Sequence, residues 1–163
     1  MVGVEERFWS KVVKGPAATD CWLWVGAIGD DGYGRFWTRT VDGAQLVLRP
    51  HRFAFELLTG EKLGTSDELL HECDVPLCVH AATDPMMTHL TAGTRTLNMR
   101  DRSDKGRHEN GHTRLGMRGL SRAALAARSR RLRTVLLEQG WNAGAIRSAL
   151  SDVDEAQPAL FIL

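Results

Sequence analysis

The chain reads as an α+β protein: a small antiparallel β-meander, then a segment rich in His and Cys, then a helical C-terminal extension. Three features predict this. Aromatic and β-branched runs separated by Gly-Asp turns fill residues 22–48, a dense set of His, Cys, Asp and Pro runs from Leu69 to about Asn98, and helical text resumes at Ser121. With 163 residues, 43% hydrophobic and 25% charged, the proportions are globular and exclude wholesale disorder or a fibrous scaffold. The apolar runs fall far short of the roughly 20 residues that a membrane span needs. Met1 to Glu6 lacks the charged-then-apolar character of a secretion signal. The expectation is a protein that stays inside the cell and has no membrane partner.

Taken in order, Glu5 to Lys14 has the spacing of a short amphipathic helix with Phe8, Trp9, Val12 and Val13 toward a core, ended by Gly15-Pro16. Trp22 to Val25, Tyr33 to Trp37 and Gln45 to Leu48 are read as the three strands of the meander, parted by Gly29-Asp30-Asp31-Gly32 and Asp42-Gly43. Their aromatics are assigned to the core. Pro50 opens a helix through Leu58, and Gly60 stands where it would stop. Leu69 to Cys73 and His89 to Thr91 are predicted as paired strands. Thr94 to about Ser103 is predicted as the helix that follows, with Gly93-Thr94 as its N-cap. Ser121 starts a capped helix to about Gln139, Gly140-Trp141-Asn142 breaks it, and Ala143 to Leu150 resumes it.

Net charge is only +1, yet residues 95–133 carry twelve basic side chains against Asp101, Asp104 and Glu109, a local excess of nine. Such a segment attracts phosphate, and arginine suits bidentate phosphate contacts. Arg95, Arg100, Arg102, Lys105, Arg107, Arg114 and Arg118 are the candidate DNA-contacting residues. A solvated helix face is the alternative reading of the same charges. Three cysteines, Cys21, Cys73 and Cys78, form an odd set that suits metal ligation better than a disulfide framework. Cys73 and Cys78 are spaced to grip one tetrahedral zinc, and Cys21 with His89 could complete a Cys3His site, with His80 as a competitor for the fourth place. The bland alternative is that each is a small buried hydrophobe.

Several ordered words then carry a resemblance: Cys21-Trp22-Leu23-Trp24-Val25-Gly26, Gly32-Tyr33-Gly34-Arg35-Phe36, His51-Arg52, His71-Glu72-Cys73-Asp74-Val75-Pro76-Leu77-Cys78, His89-Leu90, Asn98-Met99-Arg100-Asp101 and Lys105-Gly106-Arg107. From about Phe8 to Arg107 the chain resembles the HNH or ββα-metal nucleases. Within them it is most similar to the His-Cys box homing-endonuclease branch and related phage HNH proteins. The resemblance implies a metal-dependent DNA endonuclease acting on duplex DNA, with a zinc-stapled ββα-metal core. By position, His71 matches the general base, Cys73, Cys78 and His89 match zinc ligands, and Cys21 falls where a fourth is drawn from an upstream strand. Asn98 matches the residue that holds the catalytic magnesium, for which manganese can substitute. Arg35 or Arg52 would assist at the phosphate, or else pair with a carboxylate at the edge of the core. Two departures stand out: Leu70 occupies the place of an Asp that often precedes the base, and ten residues separate Cys78 from His89 where the family has fewer.

The resulting division is a nuclease domain over 1–107, a basic linker over 108–120 and a helical extension over 121–163. Residues 132–150 resemble two helices of a helix-turn-helix or a plain hairpin, and Pro158 to Leu163 offers an apolar tail for a homodimer. The competing function is a zinc-stabilised DNA-binding protein without cleavage.

Overall fold

The computed structural model describes residues 3–104 and 121–151, and of residues 101–104 the backbone. The fold is α+β, with five helices and seven short strands among the described residues. Helix α1 (Val4–Trp9) is followed at once by strand β1 (Val12–Lys14). The predicted helix over Glu5 to Lys14 is therefore half helix and half strand. Val12 and Val13 are β-branched, stiff at χ1, and gain more by pairing antiparallel with β2 (Trp22–Trp24) through Val12↔Trp24 and Lys14↔Trp22.

That pairing alters the expected meander. Strand β2 joins β1, and the three-stranded meander consists instead of β3 (Ala27–Ile28), β4 (Gly34–Arg39) and β5 (Gln45–Leu48). The turn before β4 needs a glycine: Gly32 has φ +80, and a Cβ there would lie 2.9 Å from the Leu125 backbone oxygen. Helix α2 (Pro50–Thr59) starts with its proline in the first turn and stops at Gly60 in a left-handed conformation, as predicted.

Strands β6 (Glu68–His71) and β7 (Leu90–Gly93) form an antiparallel hairpin with His71 opposite Leu90, and α3 (Arg95–Asp104) follows directly. The Thr94 hydroxyl accepts from Leu97 N at 3.3 Å, the cap expected there. Helix α4 (Arg122–Gln139) is capped by Ser121, whose hydroxyl accepts from Ala124 N, and it ends at Gly140; α5 (Ala143–Ser151) follows.

These last two helices share one buried cluster with the N-terminal half. Leu132, Leu136, Ile146 and Ala149 pack with Phe8, Leu23, Trp24, Phe36, Leu77 and Cys78. At its centre Phe8 is 0% exposed and its ring meets those of Trp9, Trp24, Phe36 and Phe53. Arginines of α4 fasten the helix: Arg122 pairs with Asp30, Arg133 donates to the Val25 carbonyl, and Arg128 donates to the Asp74 carbonyl. Part of the basic excess over residues 95–133 is thus committed to holding the fold. The linker 108–120 and the tail Pro158 to Leu163 lie outside the described residues. Among the described residues no helix is long and apolar enough to cross a membrane.

Candidate metal centre and active site

Two backbone features bring the cysteines together. The free edge of β2 is laced to the loop 77–79, with Trp24 N donating to Leu77 O at 2.9 Å and Val79 N to Trp22 O at 2.7 Å. This sets Cys21, the residue before β2, beside Cys78. After β6 the chain turns at Asp74, whose φ of 56 is tolerated by a short polar side chain, and Cys73 and Cys78 then lie on one side of the loop.

The Cys21, Cys73 and Cys78 sulfurs and a nitrogen of His89 all lie within 4.8 Å of one another. His89 Nδ1 is 3.5 Å from Cys21 Sγ and 3.5 Å from Cys78 Sγ. Tetrahedral zinc with bonds of about 2.3 Å to sulfur and 2.05 Å to nitrogen has S···N edges of roughly 3.6 Å, so these separations suit four ligands of one ion. The ring is aimed from behind: His89 Nε2 donates to the Thr19 carbonyl at 3.0 Å, which leaves Nδ1 unprotonated toward the sulfurs. His80, the competitor, donates from Nδ1 to the Asp20 carbonyl at 2.7 Å and stacks flat on Trp22 at 4.3 Å. It buttresses the site from outside the ligand group.

The thiols also behave as a set. Cys73 is held far below the usual thiol range by hydrogen bonds from Cys21 and then Cys78, with His71 adding to the effect. Cys21 is pushed up to about 12, chiefly by Cys73, and burial raises Cys78. One thiolate is comfortable here and three are not, unless a cation offsets their charge. The group could hold a metal ion such as zinc.

His71, 7% exposed, sits at the end of β6 beside Cys73. Its ring lies 5.2 Å from His51 and 5.9 Å from Tyr33. His51, 8% exposed, is held well below the usual imidazole range first by burial and then by its neighbours His71, Arg49 and Arg52. The other face of β6 belongs to α3, where Asn98 Nδ2 donates to Glu68 Oε2. Side chains alternate along a strand, so Glu68 and Leu70 face α3, whereas Leu69 and His71 face α2; Leu69 packs by Phe55. His71 and Asn98, placed by sequence in one cleft, therefore have different neighbours on the two faces of one strand.

Both candidate arginines have partners within the fold. Arg35 pairs with Asp31 at 3.1 Å, and Arg52 donates to the Asp67 and Gly64 carbonyls at 2.6 and 2.8 Å, bracing the loop before β6. Arg95 and Arg100 are exposed on α3. The backbone of Arg102 lies in α3, and Lys105, Arg107, Arg114 and Arg118 lie outside the described residues.

Three residues escaped the sequence reading. Glu68 has no motif of its own, and His51 was given no role. Trp37 was assigned to the core, yet it is 51% exposed. Period-2 alternation from Phe36, which is buried, could have placed Trp37 outside. It shares an outer face with Arg35 and Arg39, opposite Val47 and Gln45 of β5.

These features define an α+β chain of small antiparallel sheets with a Cys3His group. No family model and no solved structure matches it. Protein 2.8 of Escherichia phage T7 is 32% identical over 95 residues, and the match covers 58% of this chain and 58% of that protein's length.

Proposed function

We propose that the chain is a divalent-metal-dependent endonuclease that hydrolyses phosphodiester bonds in duplex DNA, inside a phage-infected bacterial cell. The observation that carries this reading is the hairpin-plus-helix unit β6–β7–α3, with a buried histidine two residues before a ligand of a Cys3His group and an amide on the helix that crosses the same strand. Cys21, Cys73, Cys78 and His89 would hold zinc as a structural staple. Asn98 would hold magnesium or manganese, which supplies charge relief on the phosphate and on the departing 3′ oxygen.

His71 takes the proton of the attacking water, and its rings of contact with His51 and Tyr33 fix its orientation. The attacking and leaving oxygens stand in line across phosphorus. Arg95 and Arg100, with the Trp37 and Arg39 face of β4, offer phosphate and base contacts to the flanking duplex. The phage relative is consistent with this setting.

The test is relaxation of supercoiled plasmid by purified protein with magnesium. His71→Ala and Asn98→Ala should each lower nicking by about 10²- to 10⁴-fold, with zinc content unchanged. Full activity in either variant overturns its assigned role. The second reading, DNA binding without cleavage, is favoured by the action of His71 on Cys73, which gives the imidazole a structural task. Plasmid binding with no nicking under any divalent cation would establish it.

A further inference from the structure

Independently of the nuclease reading, we infer that Cys21 and Cys73 are a paired oxidation site, at which a peroxide forms a disulfide that replaces the metal as the tie between their two loops. All three sulfurs lie within 4.8 Å of one another, but their surroundings differ. Cys78 is 0% exposed, and its backbone is laced on both sides, Leu77 O accepting from Trp24 N and Val79 N donating to Trp22 O. Cys21 and Cys73 are half-buried and hydrogen-bond each other. Both also stand off the strands, Cys21 at the end of the loop 15–21 and Cys73 in the turn after β6. The pair is therefore the one that solvent reaches, and the one whose backbone can shift to close the gap to an S–S bond of about 2.05 Å.

The chemistry balances with a hydroperoxide as oxidant. One of the two thiolates attacks a peroxide oxygen, the O–O bond breaks, and a sulfenic acid and hydroxide result. The second thiolate displaces hydroxide from that sulfur and forms the S–S bond. The two sulfurs lose two electrons, the peroxide gains them, and two protons from solvent complete two waters. Cys78 and His89 then remain as two donors where a closed tetrahedral site needs four, so bound zinc departs. The loop before β2 stays joined to the turn after β6, now covalently. The rival explanation is a purely structural cluster that oxidation destroys.

The experiment treats the zinc-loaded full-length chain with hydrogen peroxide and follows released zinc with a chelating dye. Alkylation and peptide mass mapping then locate the cross-link. One zinc should be released for each Cys21–Cys73 disulfide, with Cys78 alkylated, and a dithiol with added zinc should restore the starting state. Cys78→Ser should give the same cross-link, whereas Cys21→Ser should form any disulfide at least about tenfold more slowly. The oxidised, zinc-free chain should melt above the reduced, zinc-free chain, because a cross-link that closes a loop of roughly fifty residues restrains the unfolded state.

A cross-link through Cys78, sulfinic or sulfonic acid in place of the disulfide, zinc that stays bound after cross-linking, or an oxidised chain that melts no higher than the reduced, zinc-free one would overturn the inference. No readout here involves DNA, so a chain that nicks no plasmid removes the nuclease and leaves this site standing.

Discussion

The sharpest discrimination at the residue scale is between two histidines nine positions apart. His89 turns Nδ1 to the sulfurs because Thr19 holds its other nitrogen, whereas His80 spends its Nδ1 on the Asp20 carbonyl. His89→Ala should therefore lose most bound zinc by metal analysis, and His80→Ala should keep about one zinc per chain; equal loss in both would refute the assignment. Asp31 makes a different prediction. Burial alone would raise its carboxyl, but hydrogen bonds from Arg49 and Arg35 outweigh burial and hold it well below the usual carboxylate range. A depressed folded-state value gives stability that is whole above about pH 3.9 and drains as pH falls below it. Asp31→Asn should then melt lower than wild type at pH 7, and the gap should narrow as pH falls from about 4 toward 2. A gap that does not narrow over that range would show that the ion pairs contribute nothing. The gathering of Cys21, Cys73, Cys78 and His89 was legible because Cys and His at metal-ligand spacing have few other uses. The contact of Glu68 with Asn98 was not, since a lone strand glutamate reads as a solvated edge until a helix is laid over it.

Several elements were legible from a cap or breaker that marks them. Ser121, Gly60 and Gly140 bound their helices as the sequence predicts, and β5 spans the expected residues. The failures were tertiary. Helical spacing over Glu5 to Lys14 was overridden at Val12 and Val13 by the partner strand β2, and the first strand of the meander left it for the same reason. No local rule contains that choice, because both pairings satisfy the same alternation. The docking of α4 was also invisible, since an arginine-rich helix has a weak apolar stripe. Leu132, 1% exposed, anchors it. Leu132→Ala should cost about 2–5 kcal/mol in denaturant unfolding; a loss below about 0.5 kcal/mol would mean that α4 contributes little to the core.

Over the described residues, the first helix and the last two close on the middle. Phe8 near the start and Leu136 near the other end enter one core, and Arg128 of α4 holds the carbonyl of Asp74 in the loop between Cys73 and Cys78. The Cys3His group thus sits where three distant stretches meet. Cys21 finds its imidazole partner 68 residues further along the chain. At ribosomal rates of about 5–20 residues per second, that cysteine is added to the chain roughly 3 to 14 seconds before His89 is made. Throughout that interval the nascent polypeptide carries an unprotected nucleophile, open to oxidants and to any soft cation in its surroundings.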